Sequence, residues 1–380
     1  MKASENKPPR VVVFRKRMLP YSETFIAAQG NHLPSWQAVY AGATEERSGI
    51  RLLEGATTCI LNKQVARWIS PFVSWAFKRY GLIPAAWLKK LRGYQPELLH
   101  VHFGPDALYM GIPLSKALGI PLIVTFHGFD ITIDAPDSRY QRERFKLFQH
   151  ATKVIAVSDF IASKLIEHGC PEEKIVRHYI GIDLEKFTPF DGPISREDIV
   201  FVGRLTEKKG CRYLIEAAIH LAELGENHHL HIIGDGVLRE SLQILAQPIA
   251  NRVTFHGKQT PGFVREKVGK AAVFCAPSVT SRSGDSEGLG MMNLEAMALG
   301  TPVVSTFHTA IPEAVIHEKT GILVPEADSK ALAIALRRCL NDRDFAEKLG
   351  KNGIAHVCQH FDIRKQCGGL EMIYDFVAKR

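Results

Sequence analysis

A chain of 380 residues is long for one compact core, so two domains are expected. At 46% hydrophobic and 23% charged, it has the composition of a folded globular protein, which excludes a disordered or low-complexity chain. The net charge of +8, from 48 basic and 40 acidic residues, admits an anionic partner without naming one, and with neither a long apolar run nor a leader pattern a cytoplasmic location is expected.

The first β-rich run is RVVVF at 10. A dinucleotide-dependent dehydrogenase would place G-x-G-x-x-G after it, and VVVFRKRMLPYS contains no glycine. Between Gly55 and Pro96 there is no acidic residue, while Lys63, Arg67, Lys78, Arg79, Lys89, Lys90 and Arg92 alternate with Trp68, Phe72, Trp75, Phe77 and Trp87. Such a stretch, residues 60–92, fits two settings: peripheral contact with an anionic membrane, or a core-facing helix pair with a solvated basic side. No groove-binding or single-strand motif accompanies the charge, so no nucleic-acid partner is expected.

Further runs follow at LLHVHF (98), PLIVTFHG (121) and KVIAVS (153), then, beyond FTPFDGPISRED at 187–198, at DIVFVGR (198), HLHIIGDG (229), RVTFHG (252), VFCAPS (273) and TPVVST (301). Strands alternating with helical patterns imply parallel, doubly wound α/β sheets, and two sets imply two sheets. The Pro- and Gly-rich stretch reads as the linker, giving domains 1–187 and 188–360, with a C-terminal helix at 361–380 that could dock back on the first. Ligands of such sheets sit beyond the carboxyl ends of strands, where His127-Gly128, Gly203-Arg204 and Gly257-Lys258 fall. His100, His102 and His127 lack a carboxylate or thiol to complete a ligand set, and the seven cysteines show neither a C-x-x-C pair nor zinc spacing, so no metal is expected.

In GRLTEKKG, residues 203–210, Arg204 and Lys209 can set a guanidinium and an ammonium against one polyanion. In DSEGLGMMNLEAMALGTPVV, residues 285–304, Gly288-Leu289-Gly290 turn into a helix whose first amides and dipole suit a phosphate. Glu287 precedes that helix and Glu295 lies more than a turn inside it, so the two acids have different jobs. Glu295 could accept hydrogen bonds from a ribose diol, and Glu287 from hydroxyls of a sugar carried on the diphosphate.

The set GRLTEKKG, IIGDGVLRESL, VTFHGK, EGLGMMNLE, AMALGTPVVST and IPEAVIHEKTGILV resembles the nucleotide-binding domain of the retaining GT-B glycosyltransferases of family four, over residues 198–335. The first half is similar through LLHVHFG, VTFHGFD and IAVSDFIASKL, and PYSETFI at 20–26 is similar to the subset that builds bacterial surface polysaccharides. The resemblance implies two Rossmann-like domains facing across a cleft that closes to expel water, with a UDP- or GDP-type sugar donor and a glycan or lipid-linked glycan acceptor. It assigns Arg204 and Lys209 to the diphosphate, Glu287 and His127 to the donor sugar, Glu295 to the ribose, and Gly257-Lys258 to the surroundings of the base. It implies retention by front-face displacement, with no cofactor or divalent metal. The chain departs from the family at Thr309-Ala310 before Ile311-Pro312-Glu313, which bears on donor preference, and at Met18–Thr24, which bears on the acceptor. A nucleotide-sugar epimerase of the same architecture, and a non-catalytic partner subunit, are the alternatives.

Overall fold

The structure, a computed structural model, describes residues 7–20, 23–46, 52–53, 55–64, 70–133, 138–190, 192–195 and 197–379. Each of two compact units is built around its own parallel sheet. The first unit takes the chain up to Gly181, apart from the short stretch 132–134, and again from Ile363 onward; Ile182–Asp362 form the second.

In the first unit, β1 (Arg10–Phe14), β2 (Gln37–Gly42), β3 (Thr57–Ile60), β4 (Leu98–His102), β5 (Leu122–Phe126), β6 (Lys153–Ala156) and β7 (Ile175–Arg177) are ordered β3-β2-β1-β4-β5-β6-β7. In the second, β8 (Asp198–Val202), β9 (His229–Ile233), β10 (Val253–Gly257), β11 (Val273–Ala276), β12 (Val303–Thr306) and β13 (Ile322–Val324) are ordered β10-β9-β8-β11-β12-β13. Both sheets grow outward from their first strand in both directions, which is the doubly wound order. Helices on both faces explain why the central strands are apolar runs rather than alternating ones: Val11, Val12, Phe14, Ile199 and Val200 are all fully buried. Strands β2, β3, β7 and β13 carry no signal among the runs read from sequence. QAVYAG is rich in Ala and Gly, which disfavour strands, and the others are edge strands of three or four residues.

The basic aromatic stretch buries some of its aromatic side chains and exposes others. Helix α1 (Ser70–Tyr80) buries Phe77, and helix α2 (Ala85–Gly93) buries Trp87, whose indole N–H donates to the Cys59 carbonyl at 3.1 Å. Phe14, Phe77 and Trp87 form one aromatic cluster, with Phe77 and Trp87 5.4 Å apart. Phe72, Trp75 and Tyr80 stay exposed, and Arg67 and Trp68 lie outside the described residues. Trp87 and Phe77 therefore cannot meet a membrane. No helix among the described residues is long and apolar enough to cross one.

The C-terminal helix expected over 361–380 begins at Ile363. Helix α3 (Arg343–His360) ends at Phe361, whose ψ of 15° is non-helical and whose side chain is buried, and α4 (Ile363–Ala378) begins beyond it. That second helix belongs to the first unit. Its Glu371 carboxylate accepts from the Ser35 amide (2.7 Å), the Ser35 hydroxyl (2.8 Å) and the Trp36 amide (2.6 Å), and Asp375 accepts from the Trp36 indole at 2.9 Å. A buried carboxylate with three donors is well compensated, so the helix is an integral part of this core.

In the second unit Asp328 caps the helix Ser329–Asn341, its carboxylate accepting from the Ala331 amide at 2.9 Å. Asp328→Ala should cost about 1 kcal/mol, read as a lower urea midpoint with an unchanged slope.

Candidate functional site

The loop after β8 is built by glycines at close approach. Gly210 has φ of +65°, and a Cβ there would lie 1.7 Å from the Pro277 carbonyl oxygen. Gly234, at φ +137°, lies so that a Cβ would sit 1.9 Å from the Gly203 carbonyl oxygen, and its amide donates to Gly257 at 2.8 Å. Only glycine allows both the backbone angle and the contact. Gly203, Gly234 and Gly257 are thus held side by side at the carboxyl ends of β8, β9 and β10.

From this loop Lys209 Nζ lies 3.0 Å from Glu287 Oε1. Lys208 Nζ lies 2.9 Å from Asp285 Oδ1 and 3.8 Å from Glu287. Arg204 is exposed, as is Lys258, and neither has a side-chain partner among the described residues. The structure thus brings Lys209 and Glu287 into contact and leaves Arg204 and Lys258 open to solvent.

Burial alone would raise the Glu287 carboxyl, but Lys209 and Lys208 beside it outweigh that and hold it at about 2. Its backbone is fixed from behind. The Glu287 amide donates to His308 Nε2 at 3.1 Å, and the Thr309 hydroxyl donates to the Glu287 carbonyl at 2.9 Å. Because Nε2 accepts, the His308 ring proton sits on Nδ1, where it meets Glu326 Oε1 at 2.6 Å. Lys208, Asp285, His308 and Glu326 were not among the residues singled out in the sequence. His308 is a lone histidine beyond a strand in STFHTA, and only its complete burial beside the Glu287 loop shows its role.

Gly288 and Leu289 are buried, and Gly290 at φ +75° turns the chain into the helix Met291–Ala298, which no side chain caps. Its first amides and positive dipole end are therefore available to an anion. Glu295 lies within this helix, half-buried, with no ion-pair or hydrogen-bond partner among the described residues, and burial lifts its carboxyl to about 7. One buried acid is held ionised by two lysines; the other is left near neutrality without a partner.

In the first unit His127 ends β5. Its amide and that of Gly128 donate to Asp130 Oδ1 at 3.0 and 2.9 Å, and Gly104 donates to the other oxygen at 3.1 Å. The ring stacks on His102 with the bonded nitrogens 3.0 Å apart and touches Phe25 and Phe103, the latter at φ +73°. Burial, and then Arg15 and His100, push the His127 ring well below its ordinary value, so it is neutral at pH 7. Its Nδ1 has no partner among the described residues. Among those residues, no three His, Cys, Asp or Glu side chains converge as a metal cage would require.

Residues 187–356 match the family described as glycosyl transferases group 1, and residues 42–186 match glycosyltransferase family 4. WcaL of Escherichia coli K12, named for a proposed role as a colanic acid biosynthesis glycosyltransferase, is 36% identical over 63% of this chain and 60% of its own length, so the match spans less than two thirds of that relative. Its Salmonella typhimurium namesake is 33% identical over 77% of this chain and 76% of its own. Among solved structures, HepE of Anabaena, in complex with UDP and glucose, superposes with a TM-score of 0.77 at 19% identity, covering 97% of this chain and 99% of that one.

Proposed function

Because this chain belongs to glycosyltransferase family 4, the group 1 enzymes, with the two Rossmann-like domains of the GT-B fold, we propose that it transfers a sugar from a nucleoside-diphosphate donor to a glycan. The carrying observation is the Lys209–Glu287 contact at 3.0 Å beside an uncapped helix that holds a partnerless Glu295. In this reading Lys209 and Arg204 neutralise the diphosphate, aided by the amides of Gly288-Leu289-Gly290. Glu295 accepts from the ribose diol, and Gly203, Gly257 and Lys258 lie near the base. Glu287, kept ionised, orients the donor sugar, and the neutral His127 adds a ring nitrogen free for a sugar hydroxyl.

The reaction would retain anomeric configuration. The bond from the anomeric carbon to the diphosphate oxygen breaks as the acceptor oxygen bonds on the same face, and the leaving oxygen takes the acceptor proton. With Lys209 and Arg204 supplying positive charge, no divalent cation or other cofactor is required. A UDP or GDP donor, a lipid-linked acceptor in bacterial exopolysaccharide, capsule or lipopolysaccharide synthesis, and a cytoplasmic location at the inner membrane face complete the reading, and the names of the WcaL relatives support the first of those pathways.

The test is thermal unfolding with UDP, GDP, ADP and dTDP, each with magnesium or EDTA. One nucleotide should raise the midpoint equally in both, and the rise should vanish in Lys209→Ala. No rise with any nucleotide would favour a non-catalytic subunit, and conversion of the donor without an acceptor would favour an epimerase.

A further inference from the structure

The first unit carries a cavity lined by none of the residues placed in transfer. It is a cleft of about 750 Å³ between α1, the segment through the π turn Ala107–Gly111 and helix Ile112–Leu118, and the helix Arg139–His150. Arg79, Lys116, Arg139 and Lys146 line it, against a single acid, Glu143. Glu143 pairs with Arg139 at 3.2 Å and with Lys146 at 3.6 Å, so its one charge is shared between two cations. Four basic groups less one acid leave a net charge of +3 facing the cleft. Tyr109 lies among them, with the Arg139 guanidinium 5.1 Å over its ring. Burial keeps its phenol protonated, so it offers a further donor. The lining fits a phosphate ester: guanidinium forks, ammonium groups and a phenol O–H within one cavity.

A second observation adjoins it. On α1, Phe72, Trp75 and Arg79 follow at helical spacing along one stripe, opposite the buried Ser74 and Phe77. Phe72 is 67% exposed, Trp75 50% and Tyr80 61%. Their rings touch in series, Phe72 tilted against Trp75 at 5.7 Å and Trp75 edge-to-face with Tyr80 at 5.4 Å. Tyr80 belongs both to this aromatic ridge and to the cleft wall. An exposed aromatic ridge ending in a cationic cavity suits a molecule with an apolar tail and an anionic head.

We propose that this cleft binds the phosphate head group of an anionic lipid, with Phe72, Trp75 and Tyr80 seated at the hydrocarbon boundary. The assignment gives the membrane contact suggested above a defined pocket and adds Lys116, Arg139 and Lys146 from outside residues 60–92. It rests on the first unit alone, so it can fail while the transfer reading stands.

The experiment is flotation of the full chain with vesicles of phosphatidylcholine alone or with phosphatidylglycerol added, without donor or acceptor. Binding should require phosphatidylglycerol, decline with salt, and weaken on the order of tenfold for each of Lys116→Glu and Lys146→Glu. Trp75→Ser should weaken it as well. Circular dichroism and the unfolding midpoint identify any variant that has not folded. Equal binding to phosphatidylcholine, or wild-type binding by both charge reversals, overturns the proposal. So does displacement by millimolar glycerol 3-phosphate with no dependence on Trp75, which would assign the cleft to a soluble phosphate ester.

Discussion

Replacing Lys209 by methionine should reduce sugar transfer about 100- to 1,000-fold, the range for losing one preorganised charge that faces a leaving group. It should also destabilise the second unit by about 3 kcal/mol, because it leaves Glu287 buried with only Lys208, 3.8 Å away, as a counter-ion. Both effects come from one geometry, and a double-mutant cycle separates them. Glu287→Gln alone also breaks the pair, whereas Lys209→Met with Glu287→Gln removes both charges and should recover part of the stability but none of the activity. The pH dependence has a definite sign. Glu287 is held at about 2, below its ordinary value, so its stabilisation is present above pH 4.5 and lost as pH falls through 2. In Lys209→Met the acid limb should move to higher pH. Urea unfolding at pH 7 and pH 4 would measure this; costs that simply add in the double variant would mean that the two side chains are not coupled.

Glu295→Ala should weaken nucleotide binding about 10- to 100-fold, the loss expected when hydroxyl hydrogen bonds to a carboxylate disappear. The stronger signature is pH. With no partner and a carboxyl near 7, Glu295 is partly protonated in the ligand-free state, while a ribose diol needs an acceptor. Affinity should therefore rise about tenfold from pH 6 to 8 in the native chain. In Glu295→Gln that component should vanish, leaving only the titration of the nucleotide phosphate. Ligand-free stability runs the opposite way. A carboxyl raised above 4.5 contributes stability that is complete below that pH and lost as pH rises through 7. Since Glu295 is half-buried, the change should be of order 1–2 kcal/mol, and a bound nucleotide should offset it. Calorimetric titration across this range decides the matter: a flat profile identical in Glu295→Gln would remove Glu295 from the ribose.

Much of this was legible in the residues themselves. Central strands such as RVVVF and DIVFVGR announce themselves because both their faces are covered, so their hydrophobicity is continuous. The Gly-Leu-Gly turn and the helix from Met291 are local chemistry, and local chemistry survives in sequence. The residues that escaped are those whose meaning comes from distant neighbours. His308 matters because the Glu287 amide reaches it, and Glu371 because Ser35 and Trp36 converge on it across the whole chain. The stretch 60–92 was ambiguous for a related reason: periodicity finds two faces on a helix but not the medium each one meets, and here Phe77 and Trp87 turn to the core while Phe72 and Trp75 do not.

The path of the chain has a consequence for biogenesis. The second unit is complete at Asp362, whereas the first lacks Glu371, Tyr374 and Asp375 until the final helix has been made. During vectorial synthesis, the unit encoded in the middle can close its core while the one begun earlier waits with Trp36 and His100 uncovered. A chain cut after residue 362 would thus carry every element of the second unit joined to a first unit without the helix that covers Trp36 and His100. Nonsense mutations between codons 363 and 371 should then produce a chain that chaperones and proteases recognise by its first half.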